Sequence, residues 1–181
     1  MDFCIRLACL EDIPHLTNLI PDSARALQAG YYTSEQIEGA IGTVFGVDSQ
    51  LIQDQTYFVA EHNNQIVGCG GWSQRKTLYG GDSGKSNQQD SLLNPDSDSA
   101  KIRAFFVDPA RARRGIGSRI VQACEQAAEG AGFKDVETIA TLAGEPFYIK
   151  FGYRAGDRFE IGLPNSQFLP VVRMFKSLAR R

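Results

Sequence analysis

Short runs of alternating apolar and polar residues fill much of the chain. Longer stretches, with apolar positions every three to four residues, interrupt them. Residues 3–9, FCIRLAC, alternate as a first strand. Residues 11–30 place Ile13, Leu16, Leu19 and Ile20 at helical spacing. Pro21 is expected to kink or divide this helix, and Gly30 to end it. Thr33 or Ser34, with acids and amides behind it, marks a second helix start. Residues 56–73, TYFVAEHNNQIVGCGGWS, read as a β-hairpin around an Asn63-Asn64 turn. KIRAFFVDP, 101–109, carries a continuous apolar run at Ala104–Val107, as in a central buried strand. Residues 115–132 form an amphipathic helix with Ile116, Ile120, Cys124, Ala127, Ala128 and Ala131 on one face. DVETIATL, 135–142, is a strand. EPFYIKFG, 145–152, is a short helix with Pro146 in its first turn and Gly152 at its end. YRAGDRFEIGL, 153–163, and FLPVVRMF, 168–175, are two more strands. This order predicts one mixed α/β or α+β domain over residues 1–181.

One segment breaks the pattern. From Gly80 to Ser99 the large apolar residues are Leu92 and Leu93 alone, among Gly, Ser, Asp, Asn and Gln. A polar loop of this length is mobile or functional, and the reading adopted is a mobile excursion between two strands. The basic C-terminus, RMFKSLARR, reads as a solvated tail.

The net charge of −2 supplies no basic field for nucleic acid or an anionic membrane. The four cysteines, Cys4, Cys9, Cys69 and Cys124, lack metal-type spacing and disulfide-scaffold density, so they read as free thiols in a reducing compartment. Charged residues from Asp2 to Asp12 break up any leader-like apolar region, and no run reaches membrane-spanning length. A cytoplasmic protein is expected.

RRGIGSR, 113–119, is the segment richest in chemistry. An apolar strand precedes it and the amphipathic helix follows. A helix start leaves N–H groups without partners at the positive end of the dipole. Gly115 and Gly117 would let a phosphate approach the backbone, and Arg113 and Arg114 add charge, which is the physical recipe for a pyrophosphate cradle. A plain tight turn with solvated arginines is the other reading. A dinucleotide fingerprint is disfavoured because its last small residue is replaced by Ile120. YGGDSGKS, 79–86, imitates a P-loop, but Tyr79 stands where that motif needs glycine. No helix pattern follows Lys85-Ser86, so it is read as a chance match.

IRAFFVDPARARRGIGSRIVQACEQAAEGAGF, 102–133, resembles the acetyl-CoA-binding core of the GNAT-type N-acetyltransferase superfamily. The shared pattern is an apolar strand, Asp-Pro, an Arg-rich loop, Gly-x-Gly and a helix. EPFYIKFGYR, 145–154, resembles that family's second element, a short helix carrying Phe-Tyr before a Gly-aromatic turn. Ala112 departs from the pattern, where Arg or Gln is common. Arg111, Arg113 or Arg114 would then supply the charge.

The resemblance implies an α/β (α+β) GNAT-type fold: a mixed, mostly antiparallel central sheet flanked by helices, with a coenzyme-binding gap between two central strands. It implies acetyl-CoA as donor, with no metal, and direct attack on the thioester by a primary amine of a small-molecule or peptide acceptor, giving an amide and free coenzyme A. The alternative is a catalytically silent acyl-CoA-binding or sensor module on the same fold. The pyrophosphate would rest on the amides of Arg113, Arg114, Gly115, Ile116, Gly117 and Ser118. The pantetheine arm would run beside Phe105, Phe106 and Val107 and pair with the last two. Tyr148 would protonate the departing thiolate, its other reading being core packing.

The amine must lose a proton, for lysine a deficit of about 3.5 pH units at neutrality, roughly 5 kcal/mol. His15, His62, Glu61 and Glu145 are the candidate bases. Tyr32, Trp72 and Arg75 are the candidate acceptor residues, with Tyr31 and Tyr79 as further lining, and each reads equally well as packing. A monomer or homodimer is expected.

Overall fold

The computed structural model of the chain describes residues 2–84 and 90–178. Seven strands form one sheet: β1 (Cys4–Leu7), β2 (Tyr57–His62), β3 (Gln65–Ser73), β4 (Ala100–Val107), β5 (Asp135–Thr141), β6 (Arg154–Gly162) and β7 (Phe168–Ser177). Their spatial order is β1-β2-β3-β4-β5-β7-β6. Every pairing is antiparallel except β4 with β5. The β2–β3 turn places both Asn63 and Asn64 at positive φ, 49° and 59°, as a tight two-residue hairpin requires.

The helices are α1 (Ile13–Leu27), α2 (Ser34–Ala40), α3 (Ser49–Gln53), α4 (Ile116–Gly130) and α5 (Glu145–Lys150). One face of the sheet buries the apolar stripes of α1, α2 and α3: Leu16, Ile20, Ala24, Ile37 and Leu51 against Tyr57, Val59, Cys69, Phe106 and Val171. The other face buries α4 and α5: Ile116, Ile120, Cys124 and Tyr148 against Val67, Ile102, Val136 and Met174. Glycines on β3 let α4 approach closely. A Cβ at Gly68 would stand 2.5 Å from Ile116 Cγ2, and one at Gly70 2.8 Å from Ile120 Cγ2.

Four local expectations change. α1 runs unbroken through Pro21, without the division expected there. α3, which the sequence pattern did not suggest, is capped by Asp48, whose carboxylate accepts the Gln50 N–H at 3.1 Å. The supposed basic tail is strand through Ser177, with Met174 fully buried, because alternate side chains of β7 face the α4 layer. The polar segment 80–99 is tied down at both ends. Gly81 and Asp82 donate to the Thr43 and Val47 carbonyls, and Leu93 donates to Gln74 and packs on the α4-side core. The remainder of that expectation, with Lys85 and Ser86 of the P-loop look-alike, lies outside the described residues. Among the described residues no helix is long and apolar enough to cross a membrane, and no group of side chains is arranged to hold a metal.

Candidate active site

β4 and β5 pair only at their starts, through Ala100↔Val136, Lys101↔Glu137 and Ile102↔Thr138. Beyond Ile102 they part. β4 keeps β3 on its other side, but with a bulge. Its register passes from Arg103↔Gly71 to Phe106↔Cys69, so Ala104 and Phe105 share the space opposite Gly70. Ala104 takes φ 57°, a left-handed conformation that non-glycine residues rarely adopt. Neither ladder includes Phe105. Past the bulge the backbone alternates. Asp108 N–H donates to Val67 O at 2.9 Å on β3, whereas Val107 N–H points away and donates to Ser23 Oγ of α1 at 3.1 Å. By the two-residue period, Phe105 N–H points with that of Val107, and Phe106 N–H faces β3. The expected pairing partners of the arm, Phe106 and Val107, are therefore both engaged within the protein, and Phe105 is the strand residue turned to the gap.

The mouth of the gap is the start of α4. Asp108 accepts the Ala110 N–H at 2.9 Å and pairs with Arg111, closing a 3-10 turn over Pro109–Arg111. Arg111 is thus held inside the turn, while Arg113 and Arg114 are exposed. Arg113 and Gly115 both have positive φ, 63° and 85°, and Gly115 is the N-cap without a side-chain cap. The first bond of the helix is Arg119 N–H to Gly115 O at 3.1 Å. The amides of Ile116, Gly117 and Ser118 therefore precede the hydrogen-bonded turns at the positive end of a 15-residue helix. A Cβ on Gly117 would lie 3.4 Å from Phe147 and 4.0 Å from Val107, so this bare Cα faces the passage from the loop into the gap.

α5 closes the gap from the α4 side. Tyr148 is buried against Phe105, Phe147 and Tyr153, with ring centroids 6.2, 5.2 and 5.2 Å away. Burial pushes its phenol well above the ordinary range, and the Thr138 hydroxyl, hydrogen-bonded to it, works in the other direction. Thr138 belongs to the last pair before β4 and β5 part, so the phenol stands at the point of divergence. It keeps its proton at any ordinary pH.

The expected acceptor residues separate. Tyr32 lies at the rim, its hydroxyl donating to Pro170 O at 2.6 Å and accepting Leu142 N–H at 2.9 Å, with burial raising it to about 12. Trp72 does not line an open groove. It is buried on the α4 face with its ring 6.0 Å from Phe133. Arg75 is spent on Asp54, at 2.6 Å, and on the Asp90 carbonyl. Tyr31 and Tyr79 are exposed. Among the candidate bases, Glu61 holds Arg6 at 2.8 Å, His62 faces the Asp2 carbonyl at the hairpin, and His15 is exposed on α1. Glu145 begins α5, beside the gap, and pairs with Arg158 at 2.5 Å. Ser23, Tyr57 and Thr138, which all touch the gap-lining backbone or Tyr148, were not singled out. Each reaches its partner across distant sequence, and no local pattern marks it.

The architecture has clear relatives. The family model described as "Acetyltransferase (GNAT) domain" matches residues 53–155, more than half of the chain. A GCN5-related N-acetyltransferase structure from Rhodopseudomonas palustris is 20% identical. The match covers 98% of this chain and 96% of that one, with a TM-score of 0.72. The PaiA N-acetyltransferase of Thermoplasma acidophilum, in complex with coenzyme A, is 15% identical over 98% and 99% of the two chains, at 0.65. YncA of Salmonella typhimurium, a putative acetyltransferase with acetyl-CoA, is 13% identical over 100% and 96%, at 0.66. At these identities the structural likeness speaks for the fold. No protein of curated function matches the sequence. The mixed sheet opened between β4 and β5, the Gly-x-Gly helix start at its mouth and the matched domain lead to one assignment: the chain belongs to the GNAT acetyltransferase family.

Proposed function

We propose that this protein transfers the acetyl group of acetyl-CoA to a primary amine by direct attack. The pyrophosphate rests on the amides from Arg113 to Ser118, with the Arg113 and Arg114 side chains at the surface beside it. The pantetheine arm enters past Gly117 and lies along the free edge of β4. The thioester oxygen meets Phe105 N–H, which supports the negative charge of the tetrahedral intermediate. As the C–S bond breaks, Tyr148 gives its proton to the sulfur. Its raised pKa is no obstacle, since the same dry surroundings raise the basicity of the thiolate. Glu145 is the candidate base that borders the gap, receiving the amine proton directly or through water.

The observation that carries this reading is a convergence. One gap joins an uncapped helix start, a backbone amide outside both ladders and a buried phenol. The test is Tyr148→Phe, which keeps the ring and its packing. Turnover with a good acceptor from an amine panel should fall about a hundredfold to ten-thousandfold, roughly 3–5 kcal/mol. Acetyl-CoA affinity should change far less, because thiolate charge develops only as the bond breaks. Turnover within a few-fold of wild type, with chemistry limiting, removes Tyr148 from the role. Thiol release that no amine accelerates, across the panel, favours a silent coenzyme-binding module instead.

A further inference from the structure

Tyr57 is the largest fully buried side chain on the α1 face, and the proposed reaction does not use it. It stands on β2, two strands from β4, yet its hydroxyl donates to Ala104 O at 3.0 Å. It reaches there by lying across β3 at Gly71, where a Cβ would come within 2.6 Å of Tyr57 Cδ2. Ala104 is the residue at φ 57° in the bulge. Its carbonyl belongs to the same planar peptide unit as Phe105 N–H. In a trans peptide the two point in opposite directions. A bond that draws the carbonyl toward Tyr57 therefore aims the N–H away from Tyr57, toward the gap. A carbonyl that accepts a hydrogen bond also polarises its own amide and makes the N–H a stronger donor.

We propose that Tyr57 is a positioning residue for acyl transfer: its hydroxyl holds the Ala104–Phe105 peptide in its bulged orientation and strengthens Phe105 N–H as donor to the thioester oxygen. The inference rests on the assignment of Phe105 N–H in the proposed function. Tyr57 suits the task because it is sealed from water. Burial pushes its phenol well above the ordinary range, so it remains a proton donor. The Cys69 thiol, hydrogen-bonded to it, is itself pushed up to about 12, hence uncharged, and the Asp48 carboxylate raises the phenol further. Gly70 opposite the bulge and Gly71 under the ring leave room for the arrangement.

The test is Tyr57→Phe, read first without any ligand. In the ¹H–¹⁵N spectrum the Phe105 amide proton should move upfield, by more than those of Phe106 and Val107. With acetyl-CoA and an amine, kcat should fall about tenfold while KM for acetyl-CoA stays within twofold. The carbonyl stretch of bound ¹³C-acetyl-CoA should rise in frequency, as its oxygen loses a strong donor. A Phe105 amide that does not move overturns the proposal. An amide that moves while kcat and the carbonyl stretch do not overturns the assignment of Phe105 N–H to the thioester oxygen, and with it the positioning role of Tyr57 in acyl transfer. If Tyr57→Phe fails to fold, 3-fluorotyrosine placed at position 57 keeps the shape and strengthens the donor. The Phe105 proton should then move downfield, and no movement overturns the proposal equally.

Discussion

The two halves of β4 share a strand and differ in almost everything else. Lys101 and Ile102 are paired with neighbours on both sides, and Ala100 with β5. There the sheet encloses charge: Lys101 pairs with Glu137, and Glu137 also holds Arg173 at 2.6 Å. Lys101 and Glu137 are both buried. From Arg103 onward the strand keeps β3 but not β5, and the bulge at Ala104 turns a backbone amide into the space left open. The closed half spends its polar groups on itself. The open half leaves backbone polarity available at the place where a ligand would need it. A catalytic gap can thus be made by ending a ladder early, provided the closed part is held firmly enough to keep the parting in place.

The largest expected effect breaks the closed half. Glu137→Gln removes the charge that Lys101 and Arg173 share and leaves a buried ammonium without its counter-charge. Breaking a buried pair costs about 3–5 kcal/mol. The partial exposure of Arg173 places the expectation near 3. Urea unfolding at unchanged m-value is the measurement, with acetyl-CoA titration of the folded variant beside it. If the halves are separable, stability falls and affinity stays within a few-fold. A parallel collapse of both would show that the parting depends on this ion cluster.

Gly70→Val strikes the open half. Its first side-chain carbon would sit 2.8 Å from both Ile120 Cγ2 and the Phe105 ring. Overpacking of this kind costs about 2–3 kcal/mol, less than the broken ion pair. Here the coenzyme should suffer as well, since Phe105 and the α4 stripe must move. Calorimetric titration that returns wild-type affinity in a folded Gly70→Val protein would show that the bulge tolerates displacement.

Much of this frame is legible in the sequence, and the limits are physical. Among the described residues, strand and helix periods place all seven strands and four of the five α-helices. The missed α3 has five residues, too short for a period to register. The Arg-rich turn and the Phe-Tyr helix point to the helix start and to Tyr148 because each is local: its residues work within a few positions of one another. The bulge is invisible, for Ala104 offers no glycine to announce positive φ. Tyr57, Ser23 and Thr138 act across 47, 84 and 10 positions of chain, respectively, and only the folded sheet brings them to their partners. Trp72 and Arg75 are ambiguous in the sequence for the opposite reason. A tryptophan and an arginine near a glycine-rich strand look available, whereas one fills the α4-side core and the other closes an ion pair.

At the far rim of the open half, Tyr32→Phe should cost about 1–2 kcal/mol. The hydroxyl joins the end of β5 to β7 through Leu142 N–H and Pro170 O. Its loss strands a part-buried amide. Thermal unfolding reads the loss, and a variant as stable as wild type would mean that water replaces the bridge at no cost. Because this bond fixes the wall opposite β4, KM for the amine should rise more than KM for acetyl-CoA.

The smallest effect on the fold is the most pointed test of the mouth. Gly117→Ala adds one methyl in the first turn of α4, where alanine favours the helix by roughly 0.5–1 kcal/mol over glycine. The new carbon would meet Phe147 at 3.4 Å and Val107 at 4.0 Å, ordinary contact distances, so nothing need shift. Stability should therefore hold or rise slightly. The same methyl narrows the passage between the helix start and the gap, which the pantetheine arm is proposed to use. Acetyl-CoA affinity should fall about tenfold, 1.4 kcal/mol, while adenosine 3′-phosphate 5′-diphosphate, which carries the pyrophosphate but stops short of the gap, should bind as before. Stability and affinity moving in opposite directions is the signature expected of a position kept small for a ligand. Equal loss for acetyl-CoA and adenosine 3′-phosphate 5′-diphosphate would place the effect at the phosphate cradle instead. Unchanged affinity for both would mean that the arm does not pass this Cα.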